Sequence, residues 1–215
     1  MPSLPSKIGA LKAESPAGPR ARIIEATLSC FGRYGVAKTT LDDVAREAKC
    51  SRATIYRMFP EGKESVVEAV VAAGVDQLFG AIALRIEGIE DLEELLLAAM
   101  QEATARVQAH APLQFLLAHE PELILPHVTF ANFGPLLARS ADFLAPHLSP
   151  WLTDEDAQRV GEWVTRIVFS YLLSPPAARD VDGAAGASRH GGAHLRHVVH
   201  DFVIPGIREL QSATA

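Results

Sequence analysis

The chain has 215 residues, enough for one small domain and one larger domain, and none of its apolar stretches approaches the roughly 20 residues of a membrane span. Its net charge of −6 and pI near 5.7 would argue against nucleic-acid binding if the charge were evenly spread. Residues 1–63, however, carry eleven Lys or Arg against six Asp or Glu (net +5), and the remainder carries nine against twenty (net −11). The first part therefore keeps a basic footprint suited to nucleic acid.

Residues 1–19 are rich in Pro, Ser and Gly and contain no apolar run. A signal peptide needs a continuous apolar segment, so this stretch predicts a disordered arm. The two cysteines, Cys30 and Cys50, lack the spacing of a disulfide framework or a metal site. We therefore expect a protein of the reducing cytoplasm.

Residues 20–59 predict three helices with helix-turn-helix spacing. The first ends at Gly35, and its apolar stripe is Ile24, Leu28 and Phe31, with Ile23, Thr27 and Tyr34 beside it. The second has an apolar face formed by Leu41, Val44, Ala45 and Ala48. Hydroxyl side chains are expected to cap the next two helices: Thr39 or Thr40 before the second, and Ser51 before the third.

The third helix has a face suited to the major groove of DNA. With Ile55 and Phe59 turned inward, Ala53 and Arg57 lie on the opposite side, where Arg57 can contact a guanine with two donors. The hydroxyl groups of Thr54 and Tyr56 flank that side and can reach phosphates. The alternative is an ordinary helical hairpin with a solvated basic face.

A turn at residues 60–62 is followed by Lys63, which opens the next helix and adds its charge to an N-terminal anion site. Residues 22–70 resemble the N-terminal domain of the tetracycline-repressor-like (TetR) family of bacterial regulators. The residues that carry the resemblance are Phe31, Tyr34-Gly35, Thr39-Thr40, Val44-Ala45, Ser51, Thr54, Tyr56, Phe59 and the lysine that follows.

The resemblance implies an all-helical homodimer that binds a palindromic operator and releases it when a small molecule enters the C-terminal domain. It also implies phosphate contacts for Tyr56 and Lys63, and positions at the DNA surface for Arg52, Thr54 and Arg57. Together with the caps, the candidate DNA-binding set is Thr39, Thr40, Ser51, Arg52, Ala53, Thr54, Tyr56, Arg57 and Lys63.

Three positions depart from the family pattern. Lys49 stands where the turn usually has glycine, which predicts a positive φ at a cost of about 1 kcal/mol. Lys63 follows Phe59 by four residues where three are common, an offset that Gly62 can absorb. Asp42 stands where some members carry a basic base-reading residue; it can accept from a cytosine amine but is left out of the set.

Beyond Lys63 the sequence predicts helices throughout, so the expected fold class is all-α. A helix-turn-helix domain at residues 20–66 precedes a larger ligand-binding and dimerisation domain at residues 67–215. Its helices are expected from about residue 64 into the 80s, at 92–110, between Pro112 and Pro121, in the 130s and 140s, at 153–173 and at 193–210. Pro126 and Pro205 are expected to disturb helices, and residues 174–192 predict a flexible loop.

Two of these helices carry more apolar surface than one protomer needs. The helix at 153–173 is apolar on nearly every side after Trp163, and a helix of that kind must be covered all round. The last helix supplies a matching stripe of Leu195, Val198, Val199 and Phe202. These features predict a four-helix bundle between two subunits; burial within a larger monomeric core is the alternative.

An effector site is also predicted in the second domain. The candidate lining is Met100, Phe115, His119, Phe130, Phe133, Trp163, Arg166 and Ser170. Arg166 is expected to meet a carboxylate, which favours a fatty acid, an acyl derivative or another lipophilic molecule. The alternatives are plain core packing for the set and an ion pair with a helix acid for Arg166.

The histidines at positions 190, 194, 197 and 200 have spacings that metal sites use. With Leu195 inward, however, His197 and His200 face outward, which favours a solvated face, and we expect neither metal nor cofactor. The sequence lacks a nucleophile elbow, a phosphate loop, HExxH and paired carboxylates. A ligand-responsive repressor that binds double-stranded DNA is therefore favoured; a helical enzyme and a DNA-binding protein without an effector are the alternatives.

Overall fold

The computed structural model describes residues 18–119, 133–173 and 187–213, and this part of the chain is helical with no β-strand. Its ten α-helices are α1 Pro19–Tyr34, α2 Leu41–Glu47, α3 Arg52–Met58, α4 Lys63–Ile86, α5 Leu92–Ala109, α6 Ala111–His119, α7 Phe133–Leu148, α8 Asp154–Leu173, α9 Ala187–Val198 and α10 Ile204–Ala213. The all-α prediction is confirmed. The predicted arm up to residue 17, the breaks at Pro121 and Pro126, and most of the predicted loop lie outside the described residues.

The chain divides into two compact units, and the first ends at Ala72. Its core is formed by α1 to α3 and the start of α4, with Ile23, Val44, Ile55 and Phe59 buried. Val66 and Ala69 of α4 pack in the same core. The start of α4 therefore takes part in the core of this unit.

The buried face of α1 differs from the predicted stripe. The residues it buries are Ile23, Ala26, Thr27, Cys30 and Phe31. Ile24 and Leu28 are only half-buried, and Tyr34 is exposed, so the stripe prediction was wrong for those three positions. Small side chains allow α1 to lie close to α2, and the buried Thr27 hydroxyl is satisfied by donating to the Ile23 carbonyl at 2.7 Å.

The second unit is centred on α5, where the six consecutive residues 95–100 are all buried. A helix buried on every side is covered by neighbours all round. The predicted inward positions Leu96, Ala99 and Ala103 are confirmed, whereas Leu92 is only half-buried. Both α7 and α8 also belong to this unit, and their backbones approach closely where Gly161 meets Ala141.

The C-terminal helical segment is interrupted before Pro205. A widened π-helical turn, Val199–Val203, separates α9 from α10, and the Ile204 N–H donates to the Val199 carbonyl. Proline has no N–H with which to continue a regular helical ladder, so this turn is where the predicted strain appears. The loop prediction ran too far, because α9 begins at Ala187 and includes residues 187–192.

One helix, α4, is long and apolar enough to cross a membrane, with a mean hydropathy of 1.7 over an 18-residue window. The prediction that no stretch approaches such a span was therefore wrong for its length and composition. The helix nevertheless contributes Val66 and Ala69 to the first core and Ile82 and Ile86 to the second. A core helix passes the same test, so its apolarity is weak evidence for a span.

Candidate DNA-binding surface

The start of α2 is fixed by a reciprocal cap, as predicted. The Asp43 N–H donates to the Thr40 hydroxyl at 3.2 Å, and the Thr40 N–H donates to the Asp43 carboxylate at 3.1 Å. Hydrogen bonds from Thr40 lower the pKa of Asp43, so the carboxylate stays charged at the positive end of the helix. Thr40 itself remains exposed.

Thr39 differs from the other candidates because its side chain is internal. It is only 2% exposed, and its hydroxyl donates to the Gly35 carbonyl at 2.7 Å. The hydroxyl therefore tethers the start of α2 to the end of α1. It does not lie on the surface with the other members of the candidate DNA-binding set.

The turn between α2 and α3 adopts the strained geometry that its sequence predicted. Lys49 has a φ of 52°, and the N–H of the next residue, Cys50, donates to the Ala45 carbonyl at 2.9 Å. The Ser51 hydroxyl then accepts from the Thr54 N–H at 3.2 Å and caps α3, as expected. The orientation of α3 is thus set by local hydrogen bonds as well as by the core.

The two sides of α3 divide as the helical wheel predicted. Ile55 and Phe59 are buried, whereas Ala53 and Arg57 are exposed on the opposite side. Arg57 has no ion-pair partner among the described residues, so its five donors are available to a ligand. Tyr56 is 42% exposed beside it. This face combines a small residue, an unpaired guanidinium and a phenol.

Arg52, at the first position of α3, is held from two sides. One guanidinium nitrogen, Nη1, lies 3.3 Å from the Asp42 carboxylate of α2, and the guanidinium carbon lies 5.9 Å from the centroid of the Tyr56 ring. All three side chains are exposed. Tyr56 and then Asp42 raise the pKa of Arg52, which keeps its charge. Sequence reasoning placed Arg52 at the surface and left Asp42 out because a carboxylate cannot bind guanine as a basic residue does. The pair across the turn was not predicted.

Lys63 is already engaged within the protein. Its Nζ donates to the carbonyls of Val36 and Ala37, at 2.6 and 3.3 Å, and so ties α4 to the turn between α1 and α2. An ammonium group has three donors, so one remains for a phosphate. The preceding Gly62 has a φ of 72°, which accommodates the extra residue before Lys63.

The candidate effector residues are only partly brought together. The rings of Phe133 and Phe169 meet edge to face at 4.9 Å, and the Arg166 guanidinium lies 5.9 Å from the Phe133 centroid. Arg166 is exposed and lies 3.6 Å from Glu162, the helix-acid pair weighed as its alternative. The candidate lining residues Phe115, His119 and Phe130 fall outside the side chains that the structure describes.

The remaining effector candidates lie elsewhere. Met100 is fully buried in the core of the second unit. Trp163 is 66% exposed and Ser170 is also exposed, because both lie away from the side of α8 that buries Val164 and Val168. Within one protomer these two side chains therefore face outward, and their place in the effector lining stays a prediction.

The predicted outward orientation of His197 and His200 is confirmed. Leu195 is buried, and His194, His197 and His200 are exposed; the side chain of His190 is not described. His200 Nδ1 lies 2.9 Å from the Glu93 carboxylate. Within the described ranges no three His, Cys, Asp or Glu side chains are grouped as metal ligands.

Comparison with known proteins supports the reading of this surface. Residues 23–70 match the family described as bacterial regulatory proteins, tetR family. The HTH-type transcriptional regulator AlkX of Mycobacterium tuberculosis is 28% identical over 154 residues, which are 70% of this chain and 72% of that protein.

Solved structures resemble the fold over most of the chain. The TetR family repressor AlkX of Dietzia sp. strain DQ12-45-1b, implicated in biodegradation of n-alkanes, has a TM-score of 0.66 and 21% identity, covering 92% of this chain and 99% of its own. AibR, solved with isovaleryl coenzyme A and operator DNA, has a TM-score of 0.50 and 16% identity, covering 84% and 97%. The two AlkX proteins are described as a transcriptional regulator and a repressor, which favours the regulator interpretation over the enzyme alternative.

Proposed function

Because the chain is a DNA-binding transcription regulator of the TetR family, we propose that it is a cytoplasmic repressor that binds a palindromic operator as a homodimer. A small lipophilic or acyl-type effector releases it from the DNA. Release is a shift of population: the effector binds best to conformers whose two DNA-binding domains are wrongly spaced or angled for adjacent major grooves.

The outer face of α3 carries this proposal. Its small Ala53 allows close approach to base edges, and the exposed, unpaired Arg57 offers the fork of donors that matches O6 and N7 of guanine. Tyr56 is exposed on the same helix and its hydroxyl can reach a phosphate, which fixes the register, while Thr40 and Ser51 cap the starts of α2 and α3.

A dimer is supported by exposed apolar side chains in the second unit. Trp163 of α8 is 66% exposed and Phe202, just after α9, is 75% exposed. The two segments are neighbours, since the rings of Tyr171 and His194 lie 5.4 Å apart. A two-fold partner on this surface would cover both aromatic groups and present two recognition helices to half-sites about 34–36 Å apart.

The effector proposal rests on the group formed by Phe133, Phe169 and Arg166. Aromatic rings beside a guanidinium suit a ligand with an apolar body and a carboxylate or similar anion. An exposed ion pair such as Arg166–Glu162 is weak and can exchange for a ligand anion. The n-alkane connection of one structural neighbour and the acyl ligand of another support testing these chemical classes first.

A gel-shift titration with the DNA upstream of the protein's own gene tests operator binding. Wild-type protein should retain a specific fragment, and Arg57→Ala should weaken retention by about tenfold or more, since a bidentate guanine contact contributes roughly 1–3 kcal/mol. The matched control is Arg106→Ala, which removes an exposed arginine paired within α5. Equal retention by both variants would contradict the role of Arg57, and no specific retention by wild-type protein would contradict the operator proposal.

Adding candidate effectors to the same complex tests release. Fatty acids, acyl coenzyme A esters and n-alkanes should be titrated separately, with Arg166→Ala as the variant and Arg159→Ala, an exposed arginine of the same helix, as its control. An anionic effector held by Arg166 should release wild type and Arg159→Ala alike and release Arg166→Ala poorly. If the effector releases all three proteins from DNA equally well, it binds at a site that does not involve Arg166.

A further inference from the structure

The pair formed by Asp42 and Arg52 places a carboxylate on the surface proposed to face DNA. Asp42 lies in the first turn of α2 and Arg52 in the first turn of α3, so the pair bridges the two helices of the motif. Asp42 is not needed for the helix cap, which uses Thr40 and Asp43. A negative charge beside a polyanion weakens binding, so its presence calls for a function.

The contact geometry leaves Arg52 partly occupied and partly available. Nη1 lies 3.3 Å from the Asp42 carboxylate, and the guanidinium carbon lies 5.9 Å from the centroid of the Tyr56 ring. Arginine has five donors in a planar fork, so the edge that carries Nε and Nη2 can still present two parallel donors. That is the arrangement which matches O6 and N7 of a guanine.

A phosphate is disfavoured at the same place. Phosphate oxygens have no sequence dependence, and an unrestrained arginine at this surface would bind them on any duplex. Next to Asp42 an incoming phosphate meets a carboxylate of the same sign, whereas a guanine edge is neutral and carries only acceptors. The carboxylate thus penalises the non-specific contact more than the specific one.

We propose that Asp42 is a specificity-determining residue: its charge beside Arg52 disfavours a phosphate at that guanidinium more than it disfavours the neutral edge of a base. The inference rests on the proposed operator function and deepens it. Arg52 contacts the DNA, and Asp42 acts through Arg52 as a positioning residue. The Tyr56 ring lies beside the same guanidinium and contributes a cation–π contact.

The test measures the ratio of operator affinity to non-specific affinity over a series of salt concentrations. Asp42→Ala should lower the ratio by about tenfold, mainly by tightening non-specific binding, because a bidentate contact is exchanged for a phosphate contact. The slope of log affinity against log salt on non-specific DNA should steepen by about one, as expected for one added phosphate contact. Asp42→Asn removes the charge but preserves the shape of the side chain, and it should also lower the ratio. This second variant controls for a folding defect caused by Asp42→Ala.

A double-mutant cycle separates this role from a general charge effect. In an Arg52→Ala background, Asp42→Ala should change the ratio and the salt slope much less than it does in the wild-type background, because only the effect of its own charge remains. If it tightens non-specific binding equally in both backgrounds, Asp42 acts only as a bulk charge and the inference is overturned. The matched control is Glu61→Ala, which removes an exposed acid from the same unit and should preserve the ratio.

The two proposals fail differently. Wild-type protein without preference for any operator would refute the proposed function before Asp42 is considered. Wild-type protein with a clear preference that Asp42→Ala retains would leave the function intact and refute only the role of Asp42.

Discussion

Lys49 illustrates how much of the motif depends on single residues. Its φ of 52° lies in the left-handed region, which disfavours any residue with a Cβ. The conformation persists because it lets the Cys50 N–H reach the Ala45 carbonyl and brings Ser51 to the start of α3. The strained backbone at Lys49 is therefore tolerated because it lets α3 begin in the orientation that the motif needs.

Replacing Lys49 by glycine should stabilise the protein. Relief of the left-handed backbone outweighs the greater freedom of glycine in the unfolded chain, so the free energy of unfolding should rise by about 0.5–1 kcal/mol. Denaturant unfolding monitored by circular dichroism measures it. Ala48→Gly is the control: Ala48 has an ordinary helical φ of −73° and is buried, so the substitution should destabilise. Stabilisation by both substitutions, or by neither, would refute the strain argument.

Features of the site that arise from neighbouring residues were predictable from sequence. The caps by Thr40 and Ser51, the positive φ of Lys49 and the inward side of Ile55 and Phe59 all depend on local chemistry or helical periodicity. The pairing of Arg52 with Asp42 was not predictable in this way. It depends on the angle between two helices, which tertiary packing sets.

At the scale of the element, the contact of α7 with α8 depends on a residue without a side chain. A Cβ built on Gly161 would lie 2.9 Å from the Cα of Ala141, and that atom belongs to the backbone. Ala141 is itself fully buried. The two helices can therefore approach each other only because these facing positions are small.

Gly161→Ala should lower the free energy of unfolding by about 1–3 kcal/mol, because the overpacked helices must separate. The same substitution at Gly80 of α4 is a close control, since a Cβ there meets nothing within 4 Å. Gly80→Ala should instead stabilise by up to about 1 kcal/mol through helix propensity alone. Thermal and denaturant unfolding should therefore give changes in the free energy of unfolding of opposite sign for the two variants. A stabilised Gly161→Ala protein would show that the close contact between α7 and α8 is not maintained.

Most helices followed from periodicity and from proline positions, and the exceptions have a physical origin. The segment before residue 193 is rich in small residues and includes Gly191 and Gly192, which have poor helix propensity, yet it belongs to α9. Composition therefore did not predict where α9 begins. The stripe of α1 failed because the helix turns Ala26 and Cys30 into the core and leaves Ile24 and Leu28 half-buried.

At the scale of the molecule, the position of apolar side chains distinguishes the core from the proposed subunit interface. Along α8, Val160, Val164 and Val168 are buried, whereas Trp163 and Leu173 are exposed on other sides. Sequence alone assigned Trp163 to an interior pocket, because an apolar residue on an apolar helix can face either its own core or a partner subunit. In one protomer the exposure of each side chain distinguishes these two positions.

Disruption of this surface should convert a dimer into monomers and weaken operator binding. Trp163→Glu combined with Phe202→Glu would place charges in the proposed interface, where burial of unpaired carboxylates opposes association. Sedimentation velocity should show a halved mass with helicity unchanged, and operator affinity should fall at least about a hundredfold as bivalent binding is lost.

Leu84→Glu is the control: Leu84 is 76% exposed on α4 outside the proposed interface, so that variant should stay dimeric and bind normally. A double variant that remains a dimer would place the interface elsewhere. A monomer that keeps full affinity would mean that one recognition helix suffices.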